Sequence, residues 1–162
     1  MIKFVRRAAA VVVLPVVAAG AMLAASTVVA TPASAATSLA TQVVALTNKY
    51  RAQKGCAKVR VDSRLTTAAR AHSADQARRN VMTHTGTGGT TFVTRAKRAG
   101  YAYALSENVA FGYPTAQAVM TGWMKSPGHR ANILNCRAKA VGVGIAYNSK
   151  RVPYWTQVFG RV

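Results

Sequence analysis

The sequence predicts an α+β fold in which helices come first and an antiparallel sheet closes the chain. Three observations carry this. Apolar residues recur at helical spacing through residues 39–80. The segment AVGVGIAYN near the end alternates with a period of two. A short connection then leads into a second strand-like run, VPYWTQVFGRV. Helices followed by closely joined strands favour α+β over a βαβ arrangement.

The elements follow in order. In SLATQVVALTNKYRAQKG, Leu39, Val43, Leu46 and Tyr50 mark one helical stripe, and Gly55 is a natural stop. VDSRLTTAARAHSADQARRN reads as a second helix, with Asp62 or Ser63 able to cap its first turn. Leu65, Ala69 and His72 share its apolar face, and Arg78 and Arg79 suit the negative end of its dipole. THTGTGGTT is a loop, and TFVTRAKRAGY a short third helix. SENVAFGY alternates as a short strand does. A further helix starts at Pro114, carries Ala116, Val119, Met120 and Trp123 on one stripe, and ends at Pro127-Gly128. HRANILN adds a helical turn. In the penultimate strand Val141, Val143, Ile145 and Tyr147 line one face. Gly142, Gly144 and Ala146 line the other, a surface small enough for another element to pack very close.

The chain of 162 residues opens with Lys3, Arg6 and Arg7, a long Ala/Val/Leu run, and the small-residue pattern Ala33-Ser34-Ala35. This is the anatomy of a secretory signal, placing a leader at 1–35 and one domain at 36–162. The competing reading is an uncleaved anchor, since the apolar run is nearly long enough to span a bilayer. The whole chain has 22 Lys and Arg against three acids, a net charge of +19. Removal of the leader's three cations leaves +16. Such a charge attracts anionic surfaces at long range. For an exported protein, secreted or wall-associated, these are anionic cell-envelope polymers or lipids, although a merely solvated basic surface is equally compatible. Cys56 and Cys136, an even count in an exported chain, suggest one disulfide. Two metal thiolates are less well supported, because no further Cys or His lies near them at ligand spacing.

The acidic inventory is Asp62, Asp75 and Glu107, so Glu107 is the chain's one glutamate. It sits in the apolar run ALSENVAFG. Of the histidines, His72 falls on a helix's apolar face and reads as a satisfied core residue. His84 and His129 fall in a loop and a turn, where binding groups are displayed. Two imidazoles and a carboxylate suffice chemically for a divalent cation such as zinc, with a position left for water or substrate. The long spacings between His84, Glu107 and His129 fix no geometry. A structural role for Glu107 is the alternative, accepting backbone N–H groups or pairing with Arg130 as a clamp. Ser126 before Pro-Gly reads as turn chemistry rather than as a nucleophile. There is no Gly-x-Ser-x-Gly elbow and no phosphate loop, since GTGG lacks a following Lys. Aromatics are not interleaved with basic residues in the manner of an RNA-reading sheet, which argues against nucleic acid as a partner.

MTHTG, SENVAFG, WMKSPGHRANILN, VGVGIAY and YWTQVFG, in this order, resemble the CAP superfamily (cysteine-rich secretory protein, antigen 5, pathogenesis-related 1), and most nearly its bacterial secreted SCP-like branch. The resemblance spans Leu39 to Gly160. It implies an α-β-α sandwich with a small antiparallel sheet between helical layers. It also implies a cleft of two histidines and two glutamates able to bind a divalent cation. His84 matches the first histidine and Glu107 the first glutamate. The second glutamate falls on Ser126 and the second histidine on Tyr154, so half of that set is replaced. The bacterial branch keeps the Gly-His-Arg histidine, here His129. Asn108, Ser126, Arg130, Tyr154 and Gln157 are the expected supporting residues. The resemblance implies no particular reaction. A non-enzymatic, monomeric binding module is favoured over a metal-assisted hydrolase using His84, Glu107 and His129, because the missing cleft partners and the shortage of carboxylates weigh against acid–base chemistry.

Overall fold

A computed structural model describes residues 38–162. The expected leader at 1–35 and its cleavage point lie outside the described residues. The chain forms α1 (Leu39–Gln53), β1 (Arg60–Val61), α2 (Ser63–Arg79), α3 (Phe92–Arg98), β2 (Ala104–Phe111), α4 (Ala116–Lys125), α5 (Pro127–Ile133), β3 (Ala140–Tyr147) and β4 (Pro153–Gly160). One four-stranded sheet runs in the order β1-β3-β4-β2. β4 pairs antiparallel with both β3 and β2, and Glu107 stands opposite Val158. α2 covers one sheet face with α3 beside it, and α1, α4 and α5 cover the other. The expected α-β-α sandwich is therefore present. One feature differs: β1 pairs with β3 in parallel, so the sheet is mixed. Its two residues are too few to leave a periodic signal.

The helix starts are set by side-chain caps. Ser38 accepts from the Thr41 amide, Asp62 from those of Arg64 and Leu65, Thr91 from Thr94 and Thr115 from Ala118. α4 thus begins one residue beyond its cap Thr115, not at Pro114. Pro127 does more than stop α4: it is the first residue of α5, where a missing N–H costs nothing.

The close face of β3 meets α2 directly. A Cβ added at Gly142 would lie 2.1 Å from the backbone of Leu65, and one at Gly144 would lie 2.3 Å from that of Ala69. On the opposite face Val141, Val143, Trp155 and Phe159 pack against Met120, Trp123 and Val43. α1 buries Val43, Thr47 and Arg51 at its centre, while Leu39, Leu46 and Tyr50 flank that row half-covered. Arg51 explains the shift from the expected stripe. Its wholly buried guanidinium donates to the carbonyls of Ala57, Ile133, Asn135 and Ala138. It thereby ties α1 to the end of α5, beside the Cys56–Cys136 disulfide. Among the described residues no helix is long and apolar enough to cross a membrane.

Candidate functional site

Glu107 lies on β2, the edge strand, with its side chain toward α2 and α3. It is only 4% exposed. A carboxylate so deeply placed must be paired, and both of its oxygens are. Arg95 of α3 donates from Nη2 to Oε2 at 2.6 Å, and His84 Nδ1 meets Oε1 at 2.9 Å. His72 of α2 approaches Oε1 at 4.0 Å through Nε2, the same nitrogen that bonds the Thr83 carbonyl at 2.8 Å. Arg95 also donates to the carbonyls of His84 and Thr90, so one guanidinium holds the 84–90 loop and Glu107 together. Asp75 pins the same loop from α2, accepting from the amide and hydroxyl of Thr87.

Glu107 does not pair with Arg130, as the sequence reading allowed; it pairs with Arg95. Arg130 is exposed and lines a groove with Lys54 and Lys125. Arg95 went unnoticed because it is one of three basic residues in α3, and nothing in TFVTRAKRAGY distinguishes the inward one. His72 is buried, as expected, but it is not fully satisfied: its Nδ1 has no hydrogen-bond partner. It belongs to the Glu107 cluster, which its place on an apolar helix face concealed.

Asn108 points to the other side of the sheet. Its Nδ2 donates to Gln157 Oε1 at 3.0 Å and to the His129 carbonyl at 3.3 Å. Its Oδ1 accepts from Asn132, which also donates to the Glu107 carbonyl. Gln157 continues to Thr47 of α1. This amide chain fixes the α5 backbone at His129 against β2. His129 and Ser126 then line a cavity of about 300 Å³ with Met82, Phe111, Tyr113 and Trp123. Tyr154 is buried and stacks on Phe111 with ring centres 5.8 Å apart.

Burial pushes the His72 imidazole below its ordinary pKa, with Glu107 opposing. Burial, and then the charge of His84, push His129 in the same direction. Both shifts favour the neutral ring. His84 itself is 58% exposed. A divalent cation at His84, Glu107 and His129 would meet Glu107 oxygens already engaged, with the Arg95 charge beside them. Among the described residues no three His, Cys, Asp or Glu side chains are grouped to hold a metal ion. As placed, these donors do not fit a resident cation. The other two carboxylate side chains are committed as well: Asp62 to Arg64 at 2.7 Å, and Asp75 to Arg78 at 2.5 Å and Arg79 at 2.8 Å.

The profile of the cysteine-rich secretory protein family, CAP, matches residues 44–159. The chain is 36% identical over 128 residues to the uncharacterized protein YkwD of Bacillus subtilis, covering 78% of this chain and 48% of that protein. Among solved structures it is similar to an SCP-domain extracellular protein of Bacillus anthracis, at 28% identity and a TM-score of 0.68, covering 76% of this chain and 40% of that one. It shares its fold with an outer surface protein of Borrelia burgdorferi, at 17% identity and a TM-score of 0.64, over 74% of this chain and 89% of that one. The chain spans less than half the length of the curated relatives that it matches.

Proposed function

The chain belongs to the cysteine-rich secretory protein (CAP) family, and on that premise we propose that it is a secreted, non-enzymatic binding module whose basic surface engages an anionic ligand of the cell envelope. The observation that supports this is the fate of the acids. All three carboxylate side chains are held by arginines of the same chain. None is free to act as a general acid or base, and most of the Lys and Arg among the described residues face solvent without a counter-charge. A field of this kind favours association with polyanions. A poly(glycerol phosphate) polymer and anionic lipid vesicles, each titrated against salt, test the reading. Affinity is expected to fall by about tenfold or more as ionic strength rises from low to twice physiological, because exposed charges are screened. Binding that ignores salt would remove the electrostatic account.

A metal-assisted hydrolase is the second reading. It is favoured by the exposure of His84, whose Nδ1 lies 2.9 Å from Glu107 Oε1. It requires Arg95 to leave Glu107. Zinc binding at micromolar concentration, together with turnover abolished by Glu107→Gln, would establish this reading in place of the first.

A further inference from the structure

A groove of about 340 Å³ opens where three helices meet. Lys54 comes from the end of α1, Met124 and Lys125 from the end of α4, and Arg130, Ala131 and Leu134 from α5 and its cap. The Lys54, Lys125 and Arg130 side chains are exposed, with no hydrogen-bond or ion-pair partner among the described residues. No carboxylate lines the groove. Other cavities that hold arginines differ. Asp75 accompanies Arg95 and Arg98 in one and pairs with Arg78 of another, and Asp62 accompanies Arg60 and Arg64 in a third. Like charges gathered without a counter-charge repel one another, and a bound anion relieves that repulsion.

The walls are fixed before any ligand arrives. The Lys54 amide donates to the carbonyls of Tyr50 and Arg51. Arg51 in turn holds the carbonyls of Ile133 and Asn135, on either side of Leu134. The Cys56–Cys136 disulfide closes the same junction just beyond Lys54 and Leu134. A groove so preorganised loses little freedom on binding. Met124 and Leu134 are half-buried, so the apolar floor is recessed. Large exposed apolar side chains, Phe111, Tyr113 and Tyr147 among them, lie outside the groove. A narrow chain can reach such a floor, whereas a bilayer surface is engaged by apolar side chains that protrude.

We propose, on the reading of this protein as a polyanion binder, that the groove is the principal seat of its ligand: a linear phosphodiester polymer lies across the ends of α1, α4 and α5, with its phosphates on Lys54, Lys125 and Arg130.

The test titrates poly(glycerol phosphate) into the wild-type protein and two charge-matched variants, Lys54→Gln/Lys125→Gln/Arg130→Gln and Lys58→Gln/Arg70→Gln/Lys150→Gln, across a salt series. The second set removes exposed cations outside the groove that also lack a side-chain partner among the described residues. The groove variant is expected to bind about tenfold or more weakly than the control variant. Its slope of log affinity against log salt is expected to fall by about 2, since each contact on a single-stranded polyanion contributes about 0.7. Ala131→Glu, which sets an acid in the groove at an exposed position, is expected to weaken binding more than Ala45→Glu, the same charge change at an exposed position of α1 outside the groove. On anionic lipid vesicles both triple variants are expected to lose affinity equally. Equal losses on the polymer, with wild-type binding still salt-dependent, would overturn the groove and leave the polyanion reading standing. Wild-type binding that is absent or indifferent to salt would overturn both. A groove-specific loss on vesicles and not on the polymer would assign the groove to a bilayer and overturn the polymer as its occupant.

Discussion

Arg51 donates to four carbonyls that have no other side-chain donor, and it does so without a carboxylate beside it. Arg51→Met would strand the carbonyls of Ala57, Ile133 and Ala138, while that of Asn135 keeps the Ala138 amide, and a loss of about 3 kcal/mol is expected in urea unfolding. Arg130→Ala, at an exposed guanidinium with no partner among the described residues, is expected to stay within about 0.5 kcal/mol of wild type. Sequence reading could not separate the two, because both are arginines in helical segments and burial is decided by what packs over them. It did single out Glu107, since a lone glutamate in an apolar run must be paired. It chose the wrong arginine because Arg130 lies in a recognisable motif and Arg95 does not. His72 gives a pH signature. Burial holds its folded pKa below the ordinary histidine value of about 6.5, with Glu107 opposing and Arg95 and Asp75 as the other charges that face it. In the depressed window the unfolded chain binds the extra proton. The contribution is therefore complete above about pH 6.5 and is lost as pH falls toward the folded value. His129 acts in the same direction. The Tm should drop between pH 7 and 5, and His72→Gln should flatten that drop. An unchanged slope would show that His72 stays uncharged for some other reason or contributes nothing.

At the level of elements, the Gly142 and Gly144 face was legible because it alternates with large residues, and a smooth strand face means a close neighbour. That the neighbour is α2 could not be read, since the pairing is a tertiary choice. Gly144→Ala would press a methyl into the Ala69 backbone, where nothing flexible can yield. A loss of about 3 kcal/mol or failure to fold is expected. Gly128→Ala is the control: a Cβ there meets nothing within 4 Å, so thermal unfolding should change little. β1 and the mixed sheet stayed hidden because two residues carry no period. The division of α4 from α5 was legible, but the start of α5 was read too late because Pro127 serves both as a stop and as a first residue.

For the whole molecule, the disulfide and the Arg51 network bind the same two regions. Cys56 and Cys136 are 80 residues apart in sequence, and closing such a loop contributes about 4.5 kcal/mol in the chain-entropy model. The Cys56→Ser/Cys136→Ser double variant should lose an amount of that order in denaturant unfolding. A much smaller loss would mean that the Arg51 bonds hold the junction alone. The family resemblance set the helix–sheet–helix layers correctly. It did not supply the charge balance within the cleft, because that depends on Arg95 and His72, which lie outside the motifs that carried the likeness. The central claim is that the Glu107 carboxylate is committed to Arg95 as a buried clamp and is not held ready for chemistry. A double-mutant cycle of Glu107→Gln, Arg95→Met and the pair, followed by urea unfolding at pH 7, measures this directly. Each single change should cost about 3–5 kcal/mol by stranding the other partner, and the double variant should cost far less than the sum, a coupling of about 2 kcal/mol or more. Additive losses, with no coupling, would contradict the account and return Glu107 to the list of groups free to bind a metal or move a proton.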